Sequence, residues 1–256
     1  MCYVYWENFI RAWDAGTSSI LGWSDPNSIP LMNNVSAGTR ANAYIPEPWW
    51  GNDGSQEIHS VIINYNPGQG GTIQMKPTPF RNSYALDIVN AKAFPRTVQW
   101  HEKKRALPIL DSLCRLHYIR KGYSLQNHLS IELIPWHTSG ISVDGYWKYV
   151  ENNIQPIYEH VICFAADQAR RISNTKLKSQ VLVRMSANSF DKIASLLNKA
   201  GIHTNCINSG VVVGNAKYAE YAIAQLPDVR FYPIWGTRLR NNLPSAADLD
   251  NILRQL

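Results

Sequence analysis

From residue 129 onward the chain alternates short apolar segments with longer segments of helical periodicity. This alternation restricts the fold more than any other feature. Leu129 to Ile134 reads as a strand, and Tyr146 to Ile172 as a long helix bent at Pro156, whose ring removes a backbone donor. Gln180 to Met185 is a strand, followed by a helix from Ser189 to Ala200 whose start is capped by Ser186 or Asn188. His203 to Ile207 is a strand, with a further apolar run at Val211 to Val213. Ala216 to Leu226 reads as a helix, Val229 to Ile234 as a strand, and Ala246 to Leu256 as a closing helix. Strands alternating with helices predict an α/β fold, a three-layer sandwich with a mainly parallel central sheet covered on both faces.

The first half is less regular. Tyr3 to Ala15 has Val4, Phe9, Ile10 and Trp13 near helical spacing. Residues 16–53 are rich in Ser, Asn, Pro and Gly and read as irregular, wrapping structure, either functional or wound over the core. A strand at Ile58 to Asn64 runs straight into Asn66-Pro67-Gly68-Gln69-Gly70-Gly71, and residues 105–121 carry a helical pattern. A length of 256 residues suits one domain over residues 1–256, with residues 1–56 as an N-terminal helix and wrapping extension.

Composition narrows the classes of function. With 45% hydrophobic and 17% charged residues the chain can bury a core, which excludes disorder as the main state. No apolar run approaches the roughly 20 residues that span a bilayer, so no membrane partner is expected. Met1 to Glu7 lacks the basic and apolar regions of a secretory signal, and a cytoplasmic location is expected. Cys2, Cys114, Cys163 and Cys206 are dispersed, without metal-site spacing, and read as reduced and mostly buried thiols. No metal and no organic cofactor is expected. The net charge of +6 is uneven: residues 1–60 hold two basic and six acidic residues, a balance of −4, and the remainder holds 23 and 13, a balance of +10. Such a field suits a polyanion such as nucleic acid, or serves solubility alone. Five of the nine Trp lie in the first fifty residues; most pack, although Trp also stacks on bases.

Ligands of open α/β sheets sit outside the carboxyl ends of the strands. Three strands deliver unusual residues there: 64–71, 132–139 and 235–242. The glycine-rich first segment lets backbone N–H groups approach a ligand. It lacks the Lys-Ser/Thr ending of a P-loop and the spacing of a dinucleotide fingerprint.

Asn64-Tyr65-Asn66-Pro67-Gly68, following an apolar strand, resembles the first motif of the uracil-DNA glycosylase superfamily. The similar forms are the Gly-Met-Asn-Pro-Gly and Gly-Ile-Asn-Pro-Gly signatures of its single-strand-selective and mismatch-specific branches. Pro46-Glu47-Pro48-Trp49-Trp50-Gly51-Asn52 and Glu132-Leu133-Ile134-Pro135-Trp136-His137-Thr138 are similar to a poorly characterised bacterial group of that superfamily. The resemblance spans roughly residues 44–242, and it implies a uracil-DNA-glycosylase-like fold with a parallel sheet between helices. It places Asn66 on the residue that orients the hydrolytic water. Pro67, Gly68 and Gln69 would lie against the base or water, Gly68 and Gln69 through their N–H groups. Tyr65 would touch a flipped base, and Phe80 would be a stacking platform.

Two departures bear on the chemistry. The family's second motif, His-Pro-Ser after the last strand, corresponds here to Ile234-Trp235-Gly236-Thr237-Arg238-Leu239-Arg240-Asn241-Asn242, with Gly236 where the His belongs. Arg240, Arg238 or His137 would then supply the donor toward the leaving base. Glu132 stands near the strand end where uracil-specific members carry an Asn. A carboxylate only accepts, so it opposes uracil's O4 and suits an exocyclic amine. Glu132 paired with an Arg, a structural His137, and Trp136 and Trp235 as packing are the alternatives. Together these residues point to metal-independent hydrolysis of an N-glycosidic bond in DNA (single-stranded or with a flipped base) or in a nucleotide. A non-catalytic nucleic-acid or nucleotide-binding module on the same scaffold is the alternative, and a hydrolase of an unrelated small molecule is a third reading.

Overall fold

The computed structural model describes residues 2–14, 21–25, 46, 48–51, 57–65, 128–136, 145–172, 179–237 and 243–256. Helix α1 is Cys2–Asp14. Strands β1 (Trp49–Gly51), β2 (Ser60–Asn64) and β3 (His128–Glu132) follow. Helix α2 (Tyr146–Asn152) leads through the short α3 (Ile154–Ile157) and a π-helical turn, Tyr158–Ile162, into α4 (Cys163–Arg170). Then come β4 (Ser179–Val183), α5 (Ala187–Lys199), β5 (Thr204–Val213), β6 (Ala216–Ile223), β7 (Val229–Gly236) and α6 (Ala246–Gln255). The expected helix over residues 105–121 and the glycine-rich turn at 66–71 lie outside the described residues, as does most of 16–53.

One seven-stranded sheet has the order β1-β3-β2-β4-β7-β6-β5. Its centre, β3-β2-β4-β7, is parallel, while β1, β6 and β5 pair antiparallel. The sheet is therefore mixed, and the expectation of a mainly parallel sheet holds for the centre alone. Alternation along the central strands sends residues to two separate cores. Val61, Ile63, Leu129, Ile131, Val181 and Val183 pack with the aromatic residues of α1 and with α2 to α5. Ile62, Leu182, Tyr232 and Ile234 face the other way, against Leu249, Ile252 and Leu253 of α6. Helices thus cover both faces, in an α/β sandwich. The α1 helix belongs to the first core: Phe9 lies 5.5 Å from Trp136 and 5.3 Å from Trp6, ring centre to ring centre. Trp6, Trp13, Trp23 and Trp49 are all buried there, which assigns these four to packing.

Residues 216–226 do not form the expected helix. Residues 216–223 form β6 instead, with Ala219, Tyr221 and Ile223 buried at a period of two. The cause is the hairpin before it. Val213 pairs with Ala216 across a two-residue loop, Gly214-Asn215, and Gly214 takes a φ of 60°, the conformation that a first-position Gly supplies. A Cβ at Gly214 would also lie 1.9 Å from Oδ1 of Asp248. The segments at His203 and Val211 are one strand, β5, interrupted by two register irregularities.

The long helix breaks at Asn153 rather than at Pro156 itself. Pro156 lacks the N–H that would bond the carbonyl of residue 152, and the break falls one turn earlier. Asn153 then holds the N-terminal segment: its Oδ1 accepts from the Ser24 N–H at 2.7 Å, and its Nδ2 donates to the Tyr149 carbonyl at 2.7 Å. Among the described residues no helix is long and apolar enough to cross a membrane. Cys163 is half-buried and Cys206 is exposed, so these two thiols are less buried than their residue type predicts.

Candidate functional site

Parallel pairing sends β2, β3, β4 and β7 out of the sheet at one edge. The segments that begin at residues 65, 133, 184 and 237 therefore leave together, as the sequence motifs require. The chain order within this parallel group places β3 and β4 on opposite sides of β2. The connection therefore reverses direction at β2, and ligands of open α/β sheets bind at such a switch point.

Register fixes which side chains stand there. Asn64 pairs with Glu132 across β2 and β3, and both side chains share the face of Ile62 and Ser130. Asn64 is 3% and Glu132 4% exposed. The Asn64 Nδ2 donates to Ser130 Oγ at 2.5 Å and to Glu132 Oε1 at 3.3 Å. An ionised carboxylate can only accept, so these two contacts orient the amide, nitrogen toward β3 and Oδ1 away from it. That Oδ1 is buried and accepts no hydrogen bond among the described residues. An unmet buried acceptor costs roughly 1–3 kcal/mol, so a donor supplied to this oxygen is favoured.

On the other side of β2, the ladder with β4 continues one step beyond the strand: the Arg184 N–H donates to the Ile63 carbonyl at 2.8 Å. Alternation from Leu182 carries the Arg184 side chain to the face of Asn64. It is half-buried and makes no side-chain hydrogen bond or ion pair among the described residues. Directly after it, Ser186 caps α5 by accepting from the Ser189 N–H at 3.3 Å, so the positive end of that helix dipole also lies at this edge.

Tyr146 of α2 bonds the chain just beyond β2. Its hydroxyl donates to the Tyr65 carbonyl at 2.9 Å, and burial, then the neighbouring Tyr65 and Glu132, push its pKa far above the ordinary tyrosine value. It remains a neutral donor at any physiological pH.

Of the residues expected from sequence, Tyr65 and Glu132 stand at this edge, Tyr65 half-buried and Glu132 buried. Trp136 does not face a substrate. It is fully buried in the first core, and its indole N–H donates to the Tyr149 hydroxyl at 2.6 Å, which in turn donates to the Ser24 carbonyl at 2.8 Å. A ring enclosed this way is a packing residue, because both its face and its one donor are already used. Asn66, Pro67, Gly68, Gln69, Phe80, His137, Arg238 and Arg240 lie outside the described residues. Gly236 has a clear physical basis: a Cβ there would lie 2.3 Å from the Leu243 carbonyl oxygen, so neither His nor any other side chain fits. Sequence reading missed Asn64, Ser130 and Arg184. Their one signal was polarity inside strands otherwise apolar. Among the described residues no group of three or more His, Cys, Asp or Glu is placed to hold a metal ion. Comparison with protein-family models, with curated proteins and with solved structures finds no match to this chain.

Proposed function

We propose that the chain hydrolyses the N-glycosidic bond of a nucleobase, in DNA or a nucleotide, on a uracil-DNA-glycosylase-like scaffold and without a metal or organic cofactor. The observation that carries this reading is the buried Asn64–Glu132 pair, in register at the carboxyl edge of two parallel strands. It begins directly before Asn66 and the glycine-rich turn. A fixed polar pair sunk below such a turn suits a planar heterocycle taken out of its stack.

In this reading Asn66 orients a water for attack on the anomeric carbon as the bond to the base lengthens and the sugar gains oxocarbenium character. Gly68 and Gln69 contribute backbone N–H groups, Pro67 shapes the turn, and Tyr65 and Phe80 contact the base. Negative charge builds on the departing base and needs a donor. Gly236 cannot carry one, so Arg184 joins His137, Arg238 and Arg240 as a source. The absent side chain at Gly236 is also the one observation that favours the alternative, a module that binds a nucleotide or nucleic acid without cutting it.

The test is incubation with oligonucleotides that each carry one modified base, with abasic sites read by alkaline strand cleavage. Release of a base, with Asn66→Ala lowering turnover roughly 100-fold or more while binding persists, is the expected result. Binding without release of any base would replace hydrolysis with the binding-module reading.

A further inference from the structure

The order β3-β2-β4 sets Glu132, Asn64 and Arg184 side by side along the carboxyl edge, on one face. Their hydrogen-bonding character differs in a readable way. Arg184 has five N–H donors and no acceptor, and among the described residues none of them is used by another side chain. Asn64 turns its buried Oδ1 away from β3, to the side of β2 on which β4 and Arg184 lie, because its nitrogen is committed to Ser130 and Glu132. Glu132 accepts from Asn64 at Oε1 and makes a further contact besides, and the roughly four lone-pair sites of a carboxylate leave room to accept from an amine as well. Across the edge the sequence is donor, acceptor, acceptor.

Each common base presents its pairing edge in its own pattern. Uracil offers carbonyl, ring N–H, carbonyl, and its second carbonyl would face Glu132. Cytosine and adenine set a ring-nitrogen lone pair against the Asn64 oxygen. Guanine offers carbonyl, ring N–H, amine, which is the complement of the three side chains in their spatial order. We propose that this edge binds a guanine-type base, its carbonyl met by Arg184, its ring N–H by Asn64 and its amine by Glu132. The proposal rests on the nucleobase reading above and names the base for it.

The measurement is calorimetric titration of the full chain with guanosine, inosine, uridine and cytidine. A second arm uses single-stranded thymine oligonucleotides carrying one guanine or one hypoxanthine, which separates a free nucleoside from a base within a polymer. Inosine differs from guanosine only in lacking the amine, so guanosine should bind roughly 5- to 150-fold more tightly. Glu132→Gln should bring that ratio close to one: Asn64 will hold the new side chain's oxygen and leave its NH₂ facing the guanine amine. Arg184→Met should weaken guanosine and inosine alike and leave their ratio intact, since both carry the carbonyl.

Uridine or cytidine binding as tightly as guanosine, or a guanosine-to-inosine ratio unmoved by Glu132→Gln in a protein that is still folded, overturns the proposal. Failure here is distinguishable from failure of hydrolysis. If another base is released from oligonucleotides while guanosine shows no preference, the guanine assignment falls and the hydrolase stands. If guanosine is selected and nothing is cut, the assignment stands on a binding module. No binding of any nucleoside together with no cleavage overturns both.

Discussion

Replacing Asn64 by Asp changes one atom and reverses the electrostatics of the buried pair. The Asn64 Nδ2 now donates to Ser130 at 2.5 Å and to Glu132 at 3.3 Å. In Asn64→Asp an oxygen takes its place, and two carboxylates face each other at the distance of a hydrogen bond. With an effective dielectric of 20, two unit charges at that spacing repel by about 5 kcal/mol. The variant has a cheaper course, which is to fold with one proton shared between the two groups. An ordinary Asp titrates near pH 4, so carrying a proton at pH 7 costs roughly 4 kcal/mol, about 1.4 kcal/mol for each unit. The shared proton also restores one hydrogen bond where the amide made two, leaving a further loss of about 1 kcal/mol.

The expected destabilisation is therefore about 4–5 kcal/mol at pH 7, falling by about 1.4 kcal/mol per unit as the medium is acidified. The sign follows from the pair's folded-state pKa being raised: the folded variant binds a proton that the unfolded chain releases, so acid favours folding. Urea unfolding of both proteins from pH 5 to pH 8 reads the slope directly. A loss independent of pH, or one below about 1 kcal/mol at pH 8, would show that the two side chains are solvated or apart, and the site built on them would fail with it.

Three further outcomes follow from other parts of the molecule. Gly236→Ala should lower the unfolding midpoint, because its Cβ meets the Leu243 carbonyl at 2.3 Å and backbone must move; an unchanged midpoint would contradict that close approach. Trp136→Phe should cost about 1–2 kcal/mol through the lost bond to the buried Tyr149 hydroxyl, with nucleoside binding unaltered in the same titration. His160 stacks on Tyr5 at 3.5 Å between ring centres, and burial lowers its pKa below the ordinary 6.5, against an opposing pull from Glu159. Its neutral form belongs to the folded state, so the stability it contributes is present above pH 6.5 and is lost as the pH falls below that value. His160→Phe keeps the stack and should flatten this part of the pH profile of thermal unfolding.

The central strands were legible because Ile58 to Asn64, Leu129 to Ile134, Gln180 to Met185 and Val229 to Ile234 are apolar runs that few other structures tolerate. Residues 216–226 misled because Ala, Lys and Glu favour helix locally, while pairing of Lys217 with Trp235 and of Tyr221 with Phe231 overrode that preference. The signal that corrects it, Gly214-Asn215 between two apolar segments, was present in the sequence and is a hairpin turn. At the site, Glu132 was legible from its place at a strand end. Asn64 and Arg184 were not, because their meaning depends on register: nothing in the order of residues says that residue 64 lies beside residue 132 and across from residue 184. Trp136 stood open between substrate contact and packing, since a Trp beside a candidate site looks the same in sequence whether its ring faces ligand or core; burial decides for packing.

The polar row on β3 carries the last argument. Parallel strands buried on both faces usually read as continuous apolar runs, and on the α6 side of the sheet β4 and β7 comply with Leu182, Tyr232 and Ile234. There β3 instead places His128, Ser130 and Glu132, all nearly shut from solvent. Strand β2 answers them, Ser60 Oγ lying 2.7 Å from His128 Nδ1 and Asn64 bonding Ser130 and Glu132. A buried polar pair replaced whole by apolar residues of similar size is often neutral or stabilising by about 1–4 kcal/mol, whereas removal of one partner is strongly destabilising. The fold itself therefore does not require the polar group, provided that Ser130, which Asn64 also bonds, is replaced with it. Asn64→Leu combined with Glu132→Leu and Ser130→Ala should leave the protein as stable as the parent or more so, while Asn64→Leu or Glu132→Leu alone destabilises it. The triple variant should also lose selective nucleoside binding. That combination, stability kept and binding lost, is what separates a recognition group from a structural one. A triple variant that unfolds as readily as the singles would mean that the sheet depends on the group, and the polarity of β3 would then belong to the fold.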